Sequence, residues 1–244
     1  MYNFERTDDN IKKLAKKKWD SIAKPIDSLG EFENLFIKIA AIKGNVDFTI
    51  KNKTMVVFCS DNGVVAEGVT QTDSSVTTIV ANNIPKGVAT ISKLSGACGA
   101  KAIAVDVGIN GDTPEGVLDY KVSKGTNNIA NGPAMTKEQM MQAINAGIDV
   151  VKNLKDKTDI IGLGEMGIGN TSPSSIWMHL LTGISLEQCV GAGSGLDSEG
   201  IRHKYNVLKQ SVNHYTGNGS VKDIIAWFGG YEMVMAIGGM LRAA

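Results

Sequence analysis

Hydrophobic positions along the chain follow two different periods. Residues 8–22 have helical spacing, with Ile11, Leu14, Ala15 and Trp19 on one stripe and lysines between them. A second helix is expected from Ser28, where Ser28 and Glu31 have capping-box spacing and Phe32, Leu35, Phe36, Ile39 and Ala40 form the apolar stripe. Residues 54–59, TMVVFC, are short, β-branched and apolar on both faces, as in a strand covered from both sides. The same character marks 102–107, AIAVDV, and 159–164, DIIGLG. Between the first two strands, Asp73 caps a helix carrying Val76, Ile79 and Val80; Pro85 interrupts it and a second segment runs to about residue 94. A helix follows from Thr136, with Gln139 as its capping partner and a stripe of Met140, Ala143, Ile144, Gly147, Ile148 and Val151. Helices near 172–182, 198–214, 220–228 and 231–242 complete the pattern.

Strands alternating with helices predict an α/β fold, a three-layer parallel sheet flanked by helices in the Rossmann-like manner. In such sheets ligands bind beyond the carboxyl ends of the strands. Three polar or glycine-rich clusters directly follow strands here: SDNG at 60–63, DVG at 106–108 and GEMGIGNTS at 164–172. They are expected to converge on one rim and to place a buried acid, Glu165, beside it.

Composition sharpens this picture at a few points. Glycine accounts for 28 of the 244 residues, above the roughly 7% typical of proteins, and clusters between periodic segments as in loops that approach a ligand closely. Lys plus Arg and Asp plus Glu both total 25, so no global field favours nucleic acid or an acidic membrane. The basic run Lys12, Lys13, Lys16, Lys17 and Lys18 reads as a solvated helix face. Three scattered cysteines, Cys59, Cys98 and Cys189, suit a reducing cytoplasm better than a disulfide frame, and the first residues lack the apolar core of a signal peptide. The apolar run at 224–241 contains Glu232 and two Gly-Gly pairs, which favours a buried helix or two short ones over a membrane span.

The chemistry concentrates in GLGEMGIGNTS. Gly162, Gly164 and Gly167 match the dinucleotide spacing G-x-G-x-x-G, but a lone match is weak. The helix cap falls after the motif, at Asn170 and Thr171, and Glu165 would sit where a pyrophosphate belongs. A second cluster, GAGSG at 191–195, precedes a helix carrying Lys204. Amides at a helix start with an ammonium one or two turns on make a monophosphate cradle, and a plain interhelical loop with a solvated lysine is the competing reading. Glu165, set among glycine backbone and Met166, is either a base with a raised pKa or a structural acid accepting loop amides. The histidines His179, His203 and His214 have no Cys or carboxylate partner at metal-ligand spacing, so no metal or other cofactor is expected.

Five segments carry a family resemblance: KPIDSLGEFENL at 24–35, SDNGVVAEGVTQTDSSVT at 60–77, GTNNIANGPAMT at 125–136, GEMGIGNTSPSS at 164–175 and GGYEMVMAIGGMLRAA at 229–244. Their order and content resemble nicotinate-nucleotide:dimethylbenzimidazole phosphoribosyltransferases, from Lys24 to the last residue. The resemblance implies transfer of 5-phosphoribose from nicotinate mononucleotide to a benzimidazole nitrogen, with inversion at the anomeric carbon and release of nicotinate, in cobalamin biosynthesis. It implies that Glu165, the candidate catalytic residue, faces the base-binding region together with Met166, and that Asp61, Asn62, Thr72 and Val80 border the aromatic base. Gly167, Gly169, Asn170, Thr171, Gly193, Ser194 and Lys204 would hold the ribose phosphate. It also implies a cytoplasmic homodimer, with small-molecule substrates and no nucleic-acid or membrane partner. A small helical domain would take residues 1–45 and a parallel α/β domain 46–244.

Two departures from the family pattern stand out. The family reads Asp-His-Gly after the first strand, where this chain has Asp61-Asn62-Gly63, a change expected to affect which base is accepted. The family's Leu-Gly-Glu-Gly segment, which carries the Glu usually assigned as general base, is not found before Ala244. The alternative reading is therefore a fragment or a nucleotide-binding homologue without that base.

Overall fold

The computed structural model describes residues 6–243; residues 1–5, on which the signal-peptide reading falls in part, and Ala244 lie outside the described residues. The chain divides into two compact units, the first running to Lys51 and the second covering 52–243.

The first unit packs α1 (Asp9–Asp20) against α2 (Glu31–Lys43). Asp8 caps α1 through its carboxylate, which accepts from the Asn10 amide at 2.7 Å. Phe36 joins the two helices, with Trp19 edge-on at 5.9 Å and Phe48 stacked at 5.8 Å. The Ser28–Glu31 capping box does not form. Asp27 and Gly30 both take positive φ, the Ser28 amide is bound in a turn to the Pro25 carbonyl, and Gly30 precedes α2 as an N-cap without a side chain to offer. Buried Glu33 does the reaching back instead, accepting from the Leu29 amide at 3.1 Å while paired with Lys24 at 2.7 Å. Phe32 and Leu35, expected on the buried stripe, are exposed.

The second unit is built on four parallel strands in the order β3-β2-β1-β4: β1 (Lys53–Ser60), β2 (Ala100–Gly108), β3 (Leu118–Asp119) and β4 (Ile160–Met166). Alternation along β1 explains its two-sided hydrophobicity. Val56 and Phe58 enter the larger core with α5 (Lys137–Leu154) and α10 (Tyr231–Ala243). Val57 and Cys59 enter the smaller core beneath α3 (Ser75–Asn83) and α4 (Thr90–Ala97). Around the larger core lie α6 (Thr171–Thr182), α7 (Leu186–Cys189), α8 (Ser198–Asn213) and α9 (Val221–Phe228). The two-residue β3 and the four-residue α7 carry too little pattern to be seen in the sequence.

Thr136 and Gln139 form the expected capping box of α5. The 224–241 run is two helices, α9 and α10, broken at Gly229-Gly230, and no helix among the described residues is long and apolar enough to cross a membrane. Its second glycine pair serves packing and not a ligand loop. A Cβ at Gly238 would overlap the Ile144 carbonyl of α5, and one at Gly147 the Met235 carbonyl of α10, so these helices cross in backbone contact.

Candidate active site

Extension of β4 through Met166 changes the setting of the central motif. Glu165 pairs with Phe58 and Met166 with Cys59 in regular parallel register, so Glu165 stands on a strand end and not in a flexible loop. A strand through Gly162 and Gly164 also removes the tight turn that a dinucleotide fingerprint needs. The helix that follows, α6, starts at Thr171, and no side chain caps its N-terminus. Its N-cap residue, Asn170, donates its side-chain amide to the Glu165 carboxylate instead.

Two cavities open on either side of Met166. The first, about 490 Å³, is largely apolar, walled by Val57 of β1, Val80 of α3, Ile84 just after it, Ile91 of α4, and Glu165 and Met166 of β4. The second, about 250 Å³, is lined by the backbone-rich run Met166 to Thr171, by Val69 and Thr70, and by Ala192, Gly193 and Ser194. An apolar cavity of this size has room for a two-ring base; a cleft bounded by a helix N-terminus and glycine backbone can accept an anion.

Lys204 supplies the charge beneath the second cavity. It is 1% exposed, and its ammonium donates to Thr171 Oγ1 at 2.7 Å and to the Gly191 carbonyl at 3.5 Å. A Cβ on Gly193 would come within 3.0 Å of Thr171 Oγ1 and 3.5 Å of Lys204 Nζ, and Gly193 has φ 57°, so both space and backbone call for glycine. Burial lowers the Lys204 pKa. The start of α8, by contrast, is already taken: Asp197 accepts from the Gly200 amide at 2.8 Å. Lys204 of α8 thus meets the start of α6, through Thr171, and not the start of its own helix.

Glu165 is exposed and lines the first cavity only, which corrects the expectation of a buried acid. Desolvation by the surrounding protein still raises its pKa, opposed by the Asn170 hydrogen bond. The buried acids are neighbours. Asp61 is 4% exposed, accepts from the Asn110 amide at 2.7 Å, and has its pKa raised chiefly by desolvation. Glu232, at the start of α10, is 0% exposed and is pushed up to about 8 by burial. Cys59 is no nucleophile, since burial pushes its thiol up to about 12.

The model of the phosphoribosyltransferase family DBI_PRT matches residues 4–244. The chain belongs to this phosphoribosyltransferase family. It is 49% identical over 246 residues to the nicotinate-nucleotide--dimethylbenzimidazole phosphoribosyltransferase of Phocaeicola vulgatus, covering 100% of this chain and 71% of that protein. The protein of the same name from Parabacteroides distasonis is 43% identical over 248 residues, with 100% and 72% covered. A crystal structure of the Thermus thermophilus protein of that name superposes with a TM-score of 0.87 at 31% identity, over 97% of this chain and 71% of that one.

Of the site residues marked in the sequence of this family member, Glu165, Met166 and Val80 line the apolar cavity. Gly167, Gly169, Asn170, Thr171, Gly193 and Ser194 line the smaller one with Lys204 below. Thr72 is exposed and lines neither cavity. Asp61 and Asn62 lie behind the cavity walls: Asn62 is 3% exposed and donates to Glu232 Oε1 at 3.0 Å. The DVG cluster joins the same rim without lining either cavity. Asp106 is spent on its own loop, accepting from the Ile109 amide at 2.8 Å and Thr113 at 2.7 Å while paired with Lys121 at 2.9 Å. Sequence reasoning missed Ile84, Val88, Ala89 and Ile91, which wall the apolar cavity on either side of the Pro85 turn without any periodic signal. It also missed Glu232, which read as one charge interrupting an apolar helix.

Proposed function

We propose that the protein transfers 5-phosphoribose from nicotinate mononucleotide to 5,6-dimethylbenzimidazole, giving α-ribazole 5'-phosphate and nicotinate in cobalamin biosynthesis. The observation that carries this reading is the pair of cavities sharing Met166, one largely apolar, the other at the start of α6 with the Lys204 ammonium behind Thr171. The named relatives support the same chemistry.

In this reading the phosphate sits at the start of α6 over Lys204, Thr171 and Gly193, and the benzimidazole lies in the apolar cavity against Val80 and Met166. One benzimidazole nitrogen attacks C1′ as the C1′–N bond to nicotinate breaks, and that bond's electrons return to the pyridinium ring. The second benzimidazole nitrogen then loses its proton to Glu165. A carboxyl whose pKa is raised is a better proton acceptor for this step than an ordinary exposed glutamate. The cationic leaving ring departs neutral, so holding two flat rings on opposite sides of one carbon supplies much of the acceleration. Asp61 and Thr72 act around the base site from outside its wall, and Asn62 supports the sugar-phosphate cavity through Gly167 and Gly169. The division into a helical part at 1–45 and an α/β part from 46, the homodimer and the cytoplasmic location belong to the same proposal.

Incubation with nicotinate mononucleotide and 5,6-dimethylbenzimidazole tests it. Equimolar α-ribazole 5'-phosphate and nicotinate are expected; hydrolysis to ribose 5-phosphate, or no product, overturns the reading.

A further inference from the structure

We propose that Glu232 is a positioning residue for the sugar-phosphate cavity, fixing Asn62 and the Gly167–Gly169 backbone from below. The inference rests on the reading of that cavity given above and adds a residue that lines neither cavity.

The geometry is a stack of three layers. Glu232, fully buried at the first turn of α10, accepts through Oε1 from Asn62 Nδ2 at 3.0 Å. Asn62 in turn presses on the loop that forms the cavity. A Cβ at Gly167 would lie 2.9 Å from Asn62 Nδ2 and 3.0 Å from Glu232 Oε1; one at Gly169 would lie 3.5 Å from Asn62 Cβ. Gly230 is equally tight, its missing Cβ falling on the Glu232 carboxylate. Gly167 and Gly169 line the small cavity, and the same loop delivers Asn170 to Glu165. Glu232 therefore reaches the reacting region through one hydrogen bond and one packed backbone segment.

The second oxygen, Oε2, has no hydrogen-bond partner. A buried carboxylate in that position would be costly, whereas a neutral carboxyl is tolerated. The groups facing it add to the cost of charge: Asp61 beyond β1 and Glu165 on β4 both oppose its ionisation, and it interacts with the Cys59 thiol. From the β2 side the nearest acid, Asp106, is held in its ion pair with Lys121, and the buried residues of α5, which packs along α10, are apolar or glycine. Ionising Glu232 would thus place a negative charge directly beneath an anion site.

The test is calorimetric titration of nicotinate mononucleotide and, separately, 5,6-dimethylbenzimidazole into the whole protein between pH 6 and 9.5, comparing wild type with Glu232→Ala and Glu232→Gln. Removing the acceptor in Glu232→Ala orphans a buried donor, and mononucleotide affinity is expected to fall roughly tenfold or more while benzimidazole affinity is retained. Glu232→Gln, which keeps the shape and the acceptor, is expected to rescue binding at pH 7 to within about threefold. Wild type is expected to lose mononucleotide affinity as pH rises past about 8, where the buried acid ionises, and Glu232→Gln to lack that loss. If the loss came from deprotonation of Lys204 it would persist in Glu232→Gln, and the proposal would be overturned. Mononucleotide affinity of Glu232→Ala equal to wild type overturns it as well. Should the alanine variant not fold, the pH profile of the glutamine variant alone decides. Absence of mononucleotide binding by wild type at every pH sinks the functional reading first and this inference with it; binding that is indifferent to the variants sinks this inference alone.

Discussion

Lys204 donates a 2.7 Å hydrogen bond to Thr171 Oγ1 from a position only 1% exposed, joining the middle of α8 to the first residue of α6. That bond places a desolvated ammonium under a helix N-terminus with no side-chain cap. The desolvated ammonium is unfavourable for the empty protein and favourable for a bound phosphate, whereas the first turn of α6 has few free donors, since Ser172 donates its amide to the Gly169 carbonyl at 2.9 Å and Pro173 has none.

Lys204→Met should therefore separate binding from stability. Loss of the cation is expected to weaken nicotinate mononucleotide binding roughly 30-fold or more, from the ~2–5 kcal/mol that a buried charge partner commands. The melting temperature should hold or rise. The sign follows from linkage: the folded pKa of Lys204 lies below its ordinary 10.5, so the unfolded chain binds more protons between the two values. Wild-type stability then gains as pH climbs through that window, and the methionine variant should show no such gain. Titration calorimetry and thermal melts across pH check both halves.

Glu165→Gln should reduce turnover by about 10²- to 10⁴-fold, the usual share of a general base, with a much smaller change in mononucleotide KM. In wild type the acid limb of kcat/KM should lie above the ordinary glutamate value of 4.5, because desolvation raises this carboxyl. Activity should fall as pH drops through that limb, and the glutamine variant should lack it.

Val80→Trp is directed at the apolar cavity. An indole in about 490 Å³ of space should block 5,6-dimethylbenzimidazole while leaving mononucleotide binding intact, since Val80 lines no part of the smaller cavity. Separate titrations of the two ligands show whether the effect is confined to one of them.

Gly238→Ala tests the frame that carries α10. Its Cβ would overlap the Ile144 carbonyl of α5, and backbone cannot move aside cheaply. A loss of at least ~1–3 kcal/mol is expected from overpacking, read as a lower denaturant midpoint with little change in slope.

How much of this was visible in the sequence differs from element to element. The three longer strands were legible because a covered parallel strand is apolar on both faces, and α5 because its stripe and its Thr136–Gln139 box agree. The Ser28–Glu31 box has the same spacing and failed, since positive φ at Asp27 and Gly30 carries the chain through a turn that spacing does not report. The run of residues in the small cavity was legible as a glycine cluster after a strand. What such a cluster cannot convey is that β4 continues to Met166, nor that Glu165 stands exposed while Glu232 is sealed. Burial of a single acid depends on partners far along the chain, here Asn62, 170 residues away. The walls at Val88 and Ile91 were illegible for a related reason: residues on an irregular turn and a short helix face a cavity without any period.

The central claim is that two distinct, adjoining cavities hold the two substrates together. The most direct measurement is titration of 5,6-dimethylbenzimidazole into protein already saturated with nicotinate mononucleotide, repeated with Lys204→Met and Val80→Trp. The account predicts one equivalent of each ligand bound at once in wild type, with the lysine variant losing only the nucleotide and the valine variant only the base. Mutual displacement of the two ligands, or both variants losing both ligands alike, would contradict it.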